Sequence, residues 1–283
     1  MLTRRRFIRS VSLGAAGSTG FAGYGLAGAL DLPGLQHTTL TLPQLPTEWD
    51  GLTIAQISDV HAGPYMPAER MARVAEMVGN LEPDLVVFTG DQMDRRPSDA
   101  DRFVRGFAGI SAPLGVYGIL GNHDHYFDPR LSEQALIEAG ITPLVNASRV
   151  LSRGDAKLAL IGLEDLSAGS GRAPDFSLVG RFPDAFRLVL SHQPRTWHDA
   201  VAGGAHLMLA GHTHGGQIAL TSRNLNVARF QGRYIAGPYR RDDATLYVSR
   251  GIGVGAVPLR LGSPPEVDIL VLRRKVASGV LAA

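Results

Sequence analysis

The sequence predicts an α/β fold with a mainly parallel sheet, and two observations carry that expectation. Short apolar runs alternate with helix-period segments through the first half, as βαβ units require, because parallel neighbours need crossovers of about a dozen residues. Polar side chains able to ligate metals follow those runs instead of preceding them. They would stand at the carboxyl ends of strands, where open α/β sheets place their ligands.

The run Leu52 to Ile57 stops at Ser58-Asp59 and reads as a buried strand feeding a loop. Pro67 suits a first helical turn. Met71, Val74, Ala75 and Val78 then recur at helical spacing on one apolar face, and Gly79-Asn80 supplies the stop. The same grammar gives a strand at Leu85 to Phe88, a helix around Asp99 to Phe107 and a strand at Val116 to Leu120. Later runs at Leu158 to Ile161, Leu188 to Leu190, Leu207 to Leu209, Leu246 to Val248 and Val267 to Val271 have shorter connections, so the second half is expected to be strand-rich.

Hydrophobic residues make up 45% of the 283, enough for one substantial core, and a single domain over residues 31–283 is expected. The 34 glycines and 17 prolines are scattered as punctuation of many short elements, with no internal repeat. The formal charge of +2 is not spread evenly. Arg4, Arg5, Arg6 and Arg9 are the only charged side chains before Asp31, and setting them aside leaves 24 basic against 26 acidic residues. A near-neutral remainder lacks the basic groove of a nucleic-acid binder, and no specific nucleic-acid binding is expected. Cysteine is absent, which excludes disulfides, thiolate-zinc sites and cysteine nucleophiles and leaves metals to N and O ligands.

Thr3-Arg4-Arg5-Arg6-Phe7-Ile8-Arg9 resembles the bacterial twin-arginine export signal. Val11 to Leu30 then carries no charge, and Ala27-Gly28-Ala29 offers small residues in cleavage-like spacing. Residues 1–30 therefore read as a signal peptide or anchor. The expected partner is the twin-arginine machinery and the expected location is the periplasm, the cell wall or the outer side of a membrane. As a permanent span the stretch would be poor, since it holds Gly14, Gly17, Gly20, Gly23, Gly25 and Gly28.

Five separated segments end apolar runs with ligand side chains. They are Asp59 with His61, Gly90-Asp91, Gly121-Asn122-His123-Asp124, Ser191-His192, and Gly211-His212-Thr213-His214. Carboxylate, amide and imidazole together suit two divalent cations holding a water against a phosphate ester. Asp59 and His61 point the same way if the strand conformation continues, and His212 and His214 alternate likewise. Gly90 permits a sharp exit, and the Asp91 carboxylate has two oxygens with which to bridge. Asn122 can bind a metal without adding charge. His123, if paired with Asp124, keeps a defined tautomer and a raised pKa, fitting it to contact a phosphate or protonate a departing oxygen. Asp94 is a supporting candidate. His37, His125, His198 and His206 lack such carboxylate partners and read as structural or surface residues.

In this order the segments resemble the calcineurin-like metallophosphoesterase superfamily: DxH, GDxxD, GNHD, a single His, then GHxH. Gly211 to Gln217 and the stretch from Tyr247 to Glu266 resemble its bacterial branch of small phosphodiesterases. The resemblance implies a four-layer α/β/β/α sandwich. It also implies that Asp59, His61 and His214 bind one metal, that Asn122, His192 and His212 bind a second, and that Asp91 bridges both. His123 would be the catalytic histidine and Asp124 its partner. The implied cofactors are two divalent ions, with Mn or Fe favoured and Zn compatible.

The function expected is therefore hydrolysis of a phosphate ester by a metal-bridging hydroxide, with a diester favoured by the resemblance. Membrane or cell-wall material would supply the substrate. Arg240, Arg241, Arg250 and Arg260 are candidates for phosphate contacts. Two alternatives stay open: a pyrophosphatase acting on a nucleotide-linked lipid precursor, which export disfavours, and a non-catalytic metal-binding protein.

Overall fold

The computed structural model describes residues 30–94, 96–169, 172–221, 225–226, 232–255 and 257–275. The expected twin-arginine segment, apart from Leu30, lies outside the described residues. No described helix is long and apolar enough to cross a membrane.

In chain order the strands are β1 (Gly34–Leu42), β2 (Thr53–Ile57), β3 (Leu85–Thr89), β4 (Val116–Ile119), β5 (Thr142–Pro143), β6 (Ala147–Arg153) and β7 (Ala156–Gly162). They continue as β8 (Ala185–Leu190), β9 (Leu207–Ala210), β10 (Ala219–Thr221), β11 (Leu225–Asn226), β12 (Gly237–Arg241), β13 (Ala244–Val248) and β14 (Glu266–Arg274). The helices are α1 (Ala68–Gly79), α2 (Pro97–Phe107), α3 (Asn122–Phe127), α4 (Pro129–Glu138) and α5 (Trp197–Ala202).

One six-stranded sheet runs β1-β14-β2-β3-β4-β5 and the other β12-β13-β9-β8-β7-β6. Within them β2, β3 and β4 are parallel, as are β7, β8, β9 and β13. The strand β14 enters the first sheet antiparallel to β2, and β12 and β6 flank the second antiparallel to β13 and β7, so both sheets are mixed and not wholly parallel. Edge strands β1, β6 and β12 escape the sequence pattern because most of their residues are not buried.

Period-two alternation sorts the apolar residues into three cores. In β3, Val86 and Phe88 join Met71, Val74 and Val78 of α1 and Phe103 and Phe107 of α2. Leu85 and Val87 face the other way and meet Leu158, Leu160, Leu188, Leu190, Leu207 and Leu209 of the second sheet. Ala159, Ile161, Val189 and Met208 turn outward to Trp197 and Ala200 of α5. These cores separate four layers, helix, sheet, sheet and helix, as the resemblance implied.

One buried amide links the strand ends between the sheets. The Gln56 amide donates to Thr89 Oγ1 (3.0 Å) and to the Ala210 carbonyl (2.9 Å), joining the ends of β2, β3 and β9. One buried acid is costlier. Asp268 accepts from the Tyr247 hydroxyl at 2.7 Å, and burial together with the neighbouring Glu266 charge pushes its carboxyl up to about 8.

The folded chain holds that proton up to about pH 8, whereas the unfolded chain releases it near pH 4. The folded state thus binds more protons across that window, and stability falls as pH rises from about 4 to about 8. Asp268→Asn keeps the acceptor for Tyr247 and removes the ionisation. Thermal melts should show the variant gaining about 3 °C or more over wild type at pH 8 and little at pH 4. Parallel melting curves of the two proteins across this range would contradict the assignment.

Candidate metal centre

All seven expected ligands lie just beyond strand ends. Asp59 and His61 follow β2, Asp91 follows β3, Asn122 opens α3 after β4, His192 follows β8, and His212 and His214 follow β9. The structure brings them together. Asp59, His61 and His214 form one group whose ligand atoms could hold a metal ion, and Asp91, His192 and His212 form another.

In the first group His61 Nε2 lies 3.1 Å from His214 Nε2, which is 3.4 Å from Asp59 Oδ1. In the second, Asn122 Oδ1 is 3.1 Å from His192 Nε2 and 2.8 Å from His212 Nδ1. Asp91 Oδ2 stands between them, 3.2 Å from His192 Nε2 and 3.7 Å from His61 Nε2. The donor set fits a cation. His192 Nδ1 faces the Thr89 carbonyl at 2.8 Å, and a carbonyl can only accept, so Nε2 of the neutral ring turns a lone pair toward the oxygens of Asn122 and Asp91. The lone pairs of His192 Nε2, Asn122 Oδ1 and Asp91 Oδ2 thus crowd together, and a cation would satisfy all three at once.

The charge balance of the protein alone points the same way. Burial pushes the Asp91 carboxyl up, but His192, His61 and His123 outweigh it and hold the group well below the usual carboxylate range. Burial likewise lowers His192, yet Asp91 and Asp59 raise it well above an ordinary histidine. A proton shared there offsets one of the buried carboxylate charges. Burial, then His61 and Arg260, push His214 well down, and burial with His192 pushes His212 down to about 4, so both rings stay neutral and ligand-ready.

Local backbone differs from the expected strand continuation. Asp59 (φ 51°), His61 (φ 47°), Asp91 (φ 56°), His212 (φ 73°) and His214 (φ 52°) are all left-handed. They are five of nine non-glycine residues with positive φ among those described, so strain concentrates at the cluster. Simple alternation is therefore not what aligns these pairs. His212 and His214 diverge, one to each group, because each loop coils tightly.

Glycines allow that packing. A Cβ on Gly211 would stand 1.9 Å from Ser58 Oγ and 2.3 Å from Asp59 Oδ2, and one on Gly121 would stand 2.3 Å from Asp91 Oδ1. Supporting bonds fix orientation. Ser58 Oγ donates to Asp59 Oδ2 at 2.6 Å, the His212 amide donates to Asp59 Oδ1 at 2.9 Å, and the His123 amide donates to Asp91 Oδ1 at 2.8 Å.

The expected pairing of His123 with Asp124 is corrected. Asp124 is fully buried and its carboxylate accepts from the backbone amides of Gly121 (2.9 Å), Gln92 (3.1 Å) and Met93 (3.2 Å). It ties the loop after β3 to the start of α3. His123 instead faces Asp94, with Nδ1 3.6 Å from Oδ1, and the same oxygen lies 3.8 Å from His61 Nδ1. Burial lowers the His123 pKa, while Asp94 and Asp91 outweigh burial and raise it. His125 also gains an unexpected partner, since its Nε2 is 2.7 Å from the buried Glu164 carboxylate.

A cleft of about 710 Å³ opens beside Asn122 and His212, walled by Tyr126, Gln193, Arg195, His198, Arg233 and Tyr234 among others. Sequence reasoning missed these wall residues because nothing local marks them. Among the arginines it did single out, Arg250 is paired with Glu266 at 2.6 Å. Arg260 is buried and donates to the carbonyls of Gly251, Gly253 and Ser263, with Nη2 3.4 Å from His214 Nδ1.

A cluster of metal-ready carboxylate, amide and imidazole groups at the strand ends of this sandwich defines a metal-dependent phosphoester hydrolase. The chain belongs to the calcineurin-like phosphoesterase family, whose profile matches residues 52–216. It is 31% identical over 283 residues to the uncharacterized metallophosphoesterase YkuE of Bacillus subtilis, covering 96% of this chain and 98% of that one. It is 29% identical to the phosphodiesterase YaeI of Escherichia coli, covering 96% of this chain and all of that protein. A Bos taurus transmembrane protein with metallophosphoesterase domain is 32% identical over 88% of this chain, which spans 59% of that protein's length.

Gly121→Ala should lower divalent-cation uptake about tenfold or more, because the new methyl group displaces the Asp91 carboxylate. Equilibrium dialysis with metal analysis checks this, and uptake equal to wild type in a folded variant would refute the close-approach argument.

Proposed function

We propose that the chain is a dinuclear-metal phosphodiesterase working outside the cytoplasm. The observation carrying this reading is the position of Asp91 Oδ2, which faces His192 on one side and His61 on the other. Asp59, His61 and His214 would hold one cation with Asp91, and Asn122, His192 and His212 the other. The mixture of donors suits Mn²⁺ or Fe and is compatible with Zn²⁺. When bound, the cations supply Lewis acidity, acidifying a water and offsetting charge on the phosphoryl oxygens.

The chain's own groups do the rest. Asp91 spaces the two ligand sets, and the Thr89 carbonyl and Ser58 hydroxyl hold His192 and Asp59 in position. His123 protonates the oxygen that leaves, and Asp94 beside its Nδ1 keeps Nε2 available for the substrate. Asp124 is a positioning residue that holds the His123 loop.

The diester preference is supported by the name of the Escherichia coli relative, a phosphodiesterase. Placement outside the cytoplasm, with the twin-arginine machinery as partner, rests on Arg4, Arg5 and Arg6 and the uncharged stretch after them. Membrane or cell-wall phosphodiesters are the substrates such a location offers.

The protein with added Mn²⁺ should hydrolyse bis-p-nitrophenyl phosphate, and Asp91→Ala and His123→Ala should each cut turnover by about a hundredfold or more. Inertness of the wild type across Mn²⁺, Fe²⁺ and Zn²⁺, with metal retained, would favour a binding protein over an enzyme. Asp94→Asn should lower kcat about tenfold to a hundredfold at saturating Mn²⁺, as expected of a group that orients His123. A kcat equal to wild type would remove Asp94 from the mechanism.

A further inference from the structure

The cleft beside the candidate metal centre does not end there. A second cavity of about 510 Å³ shares His198, Arg233 and Tyr234 with it and continues to Arg240 and Arg241. Four arginines thus follow one another along a groove: Arg195, Arg233, Arg240 and Arg241. None has a carboxylate partner among the described residues, and no described carboxylate lines either cavity. Arg195 and Arg233 are exposed, and neither makes an ion pair among the described residues, whereas Arg240 donates to the Thr41 carbonyl and Arg241 to His198.

Unpaired guanidinium groups beside a cation site have an electrostatic consequence. On the dinuclear reading, which this inference presupposes, the charges of Asp59 and Asp91, an attacking hydroxide and a singly charged diester together offset about four positive charges of the metals. A further carboxylate, Asp165, is buried and taken up by the Gln193 amide and the Ser167 backbone, so no carboxylate of the cleft wall pairs with Arg195 or Arg233. Arginine is the side chain suited to phosphate, through paired N–H donors in a planar fork.

We propose that this groove is a second phosphate-binding site, and that the preferred substrate is a phosphodiester carrying at least one further phosphate. The scissile group sits at the metal ligands and the additional phosphate at Arg195 and Arg233. Tyr126 and Tyr234 flank the path between them as walls for the intervening organic moiety.

A matched pair of chromogenic diesters tests this: p-nitrophenyl thymidine 5′-phosphate, and the same compound with a 3′-phosphate. Wild-type kcat/KM should favour the 3′-phosphorylated compound by about tenfold or more, the size of one charge-assisted contact, chiefly through KM. In Arg195→Ala/Arg233→Ala the ratio should fall to near one, and in Arg195→Lys/Arg233→Lys much of it should survive. Calorimetric titration with thymidine 3′,5′-bisphosphate and thymidine 5′-monophosphate reads the same preference without turnover. Vesicles of cardiolipin, which bears two phosphates, compared with vesicles of phosphatidylglycerol ask whether a lipid headgroup supplies the pair of charges. Preference for cardiolipin assigns a lipid source, and preference confined to the soluble pair assigns a soluble one. Equal kcat/KM and equal affinity within each pair for wild type, or a preference that survives the double alanine variant, would overturn the proposal. Absence of turnover with every diester would instead defeat the hydrolase reading, while the calorimetric preference still decides the phosphate site.

Discussion

The convergence of buried carboxylate, amide and imidazole groups on one point is the constraint on which this structure turns. Around Asp91 Oδ2 the nitrogens of His61 and His192 close to within 3.7 and 3.2 Å, and the oxygen of Asn122 and the nitrogen of His212 complete the second group. Such crowding of buried acceptors is unfavourable unless protons or cations intervene. The depressed pKa values of His212 and His214 and the elevated one of His192 are the protein's response to it.

The scaffold supplies the rigidity that this convergence requires. Two sheets meet through a leucine-rich core, and Gln56 fastens the ends of β2, β3 and β9 to one another near the place where three ligand-bearing loops leave them. Asp124 performs the comparable task between the loop after β3 and α3. Left-handed backbone at five ligand residues is the conformational cost of turning those loops back toward a common point, and it is offset by the packed layers beneath.

Chemistry and recognition fall to different parts of the chain. The ligands ride on tight loops at strand ends, while the cleft walls come from α3, the segment after His192 and the segment before β12. Two of the arginines noted from the sequence are held by Glu266 and by backbone carbonyls, while Arg240 and Arg241 join Arg195 and Arg233 along the groove.

Much of the fold and the seven expected ligand positions were legible because local pattern carries them. A buried parallel strand is an apolar run that ends where a polar loop begins, so β2, β3, β4, β8 and β9 announce both themselves and the residues just beyond them. Edge strands carry no such run, and β1, β6 and β12 therefore emerged only from their pairing. Partnership across the chain has no local signature. That His123 faces Asp94 and not its neighbour Asp124 follows from three backbone amides that claim the Asp124 carboxylate, and those amides come from two different loops. Residue type and spacing thus determined which side chains could ligate a metal and which elements carry them. Only the tertiary structure decided which nitrogen meets which oxygen, because that choice depends on a few ångströms of loop geometry set by packing between distant segments.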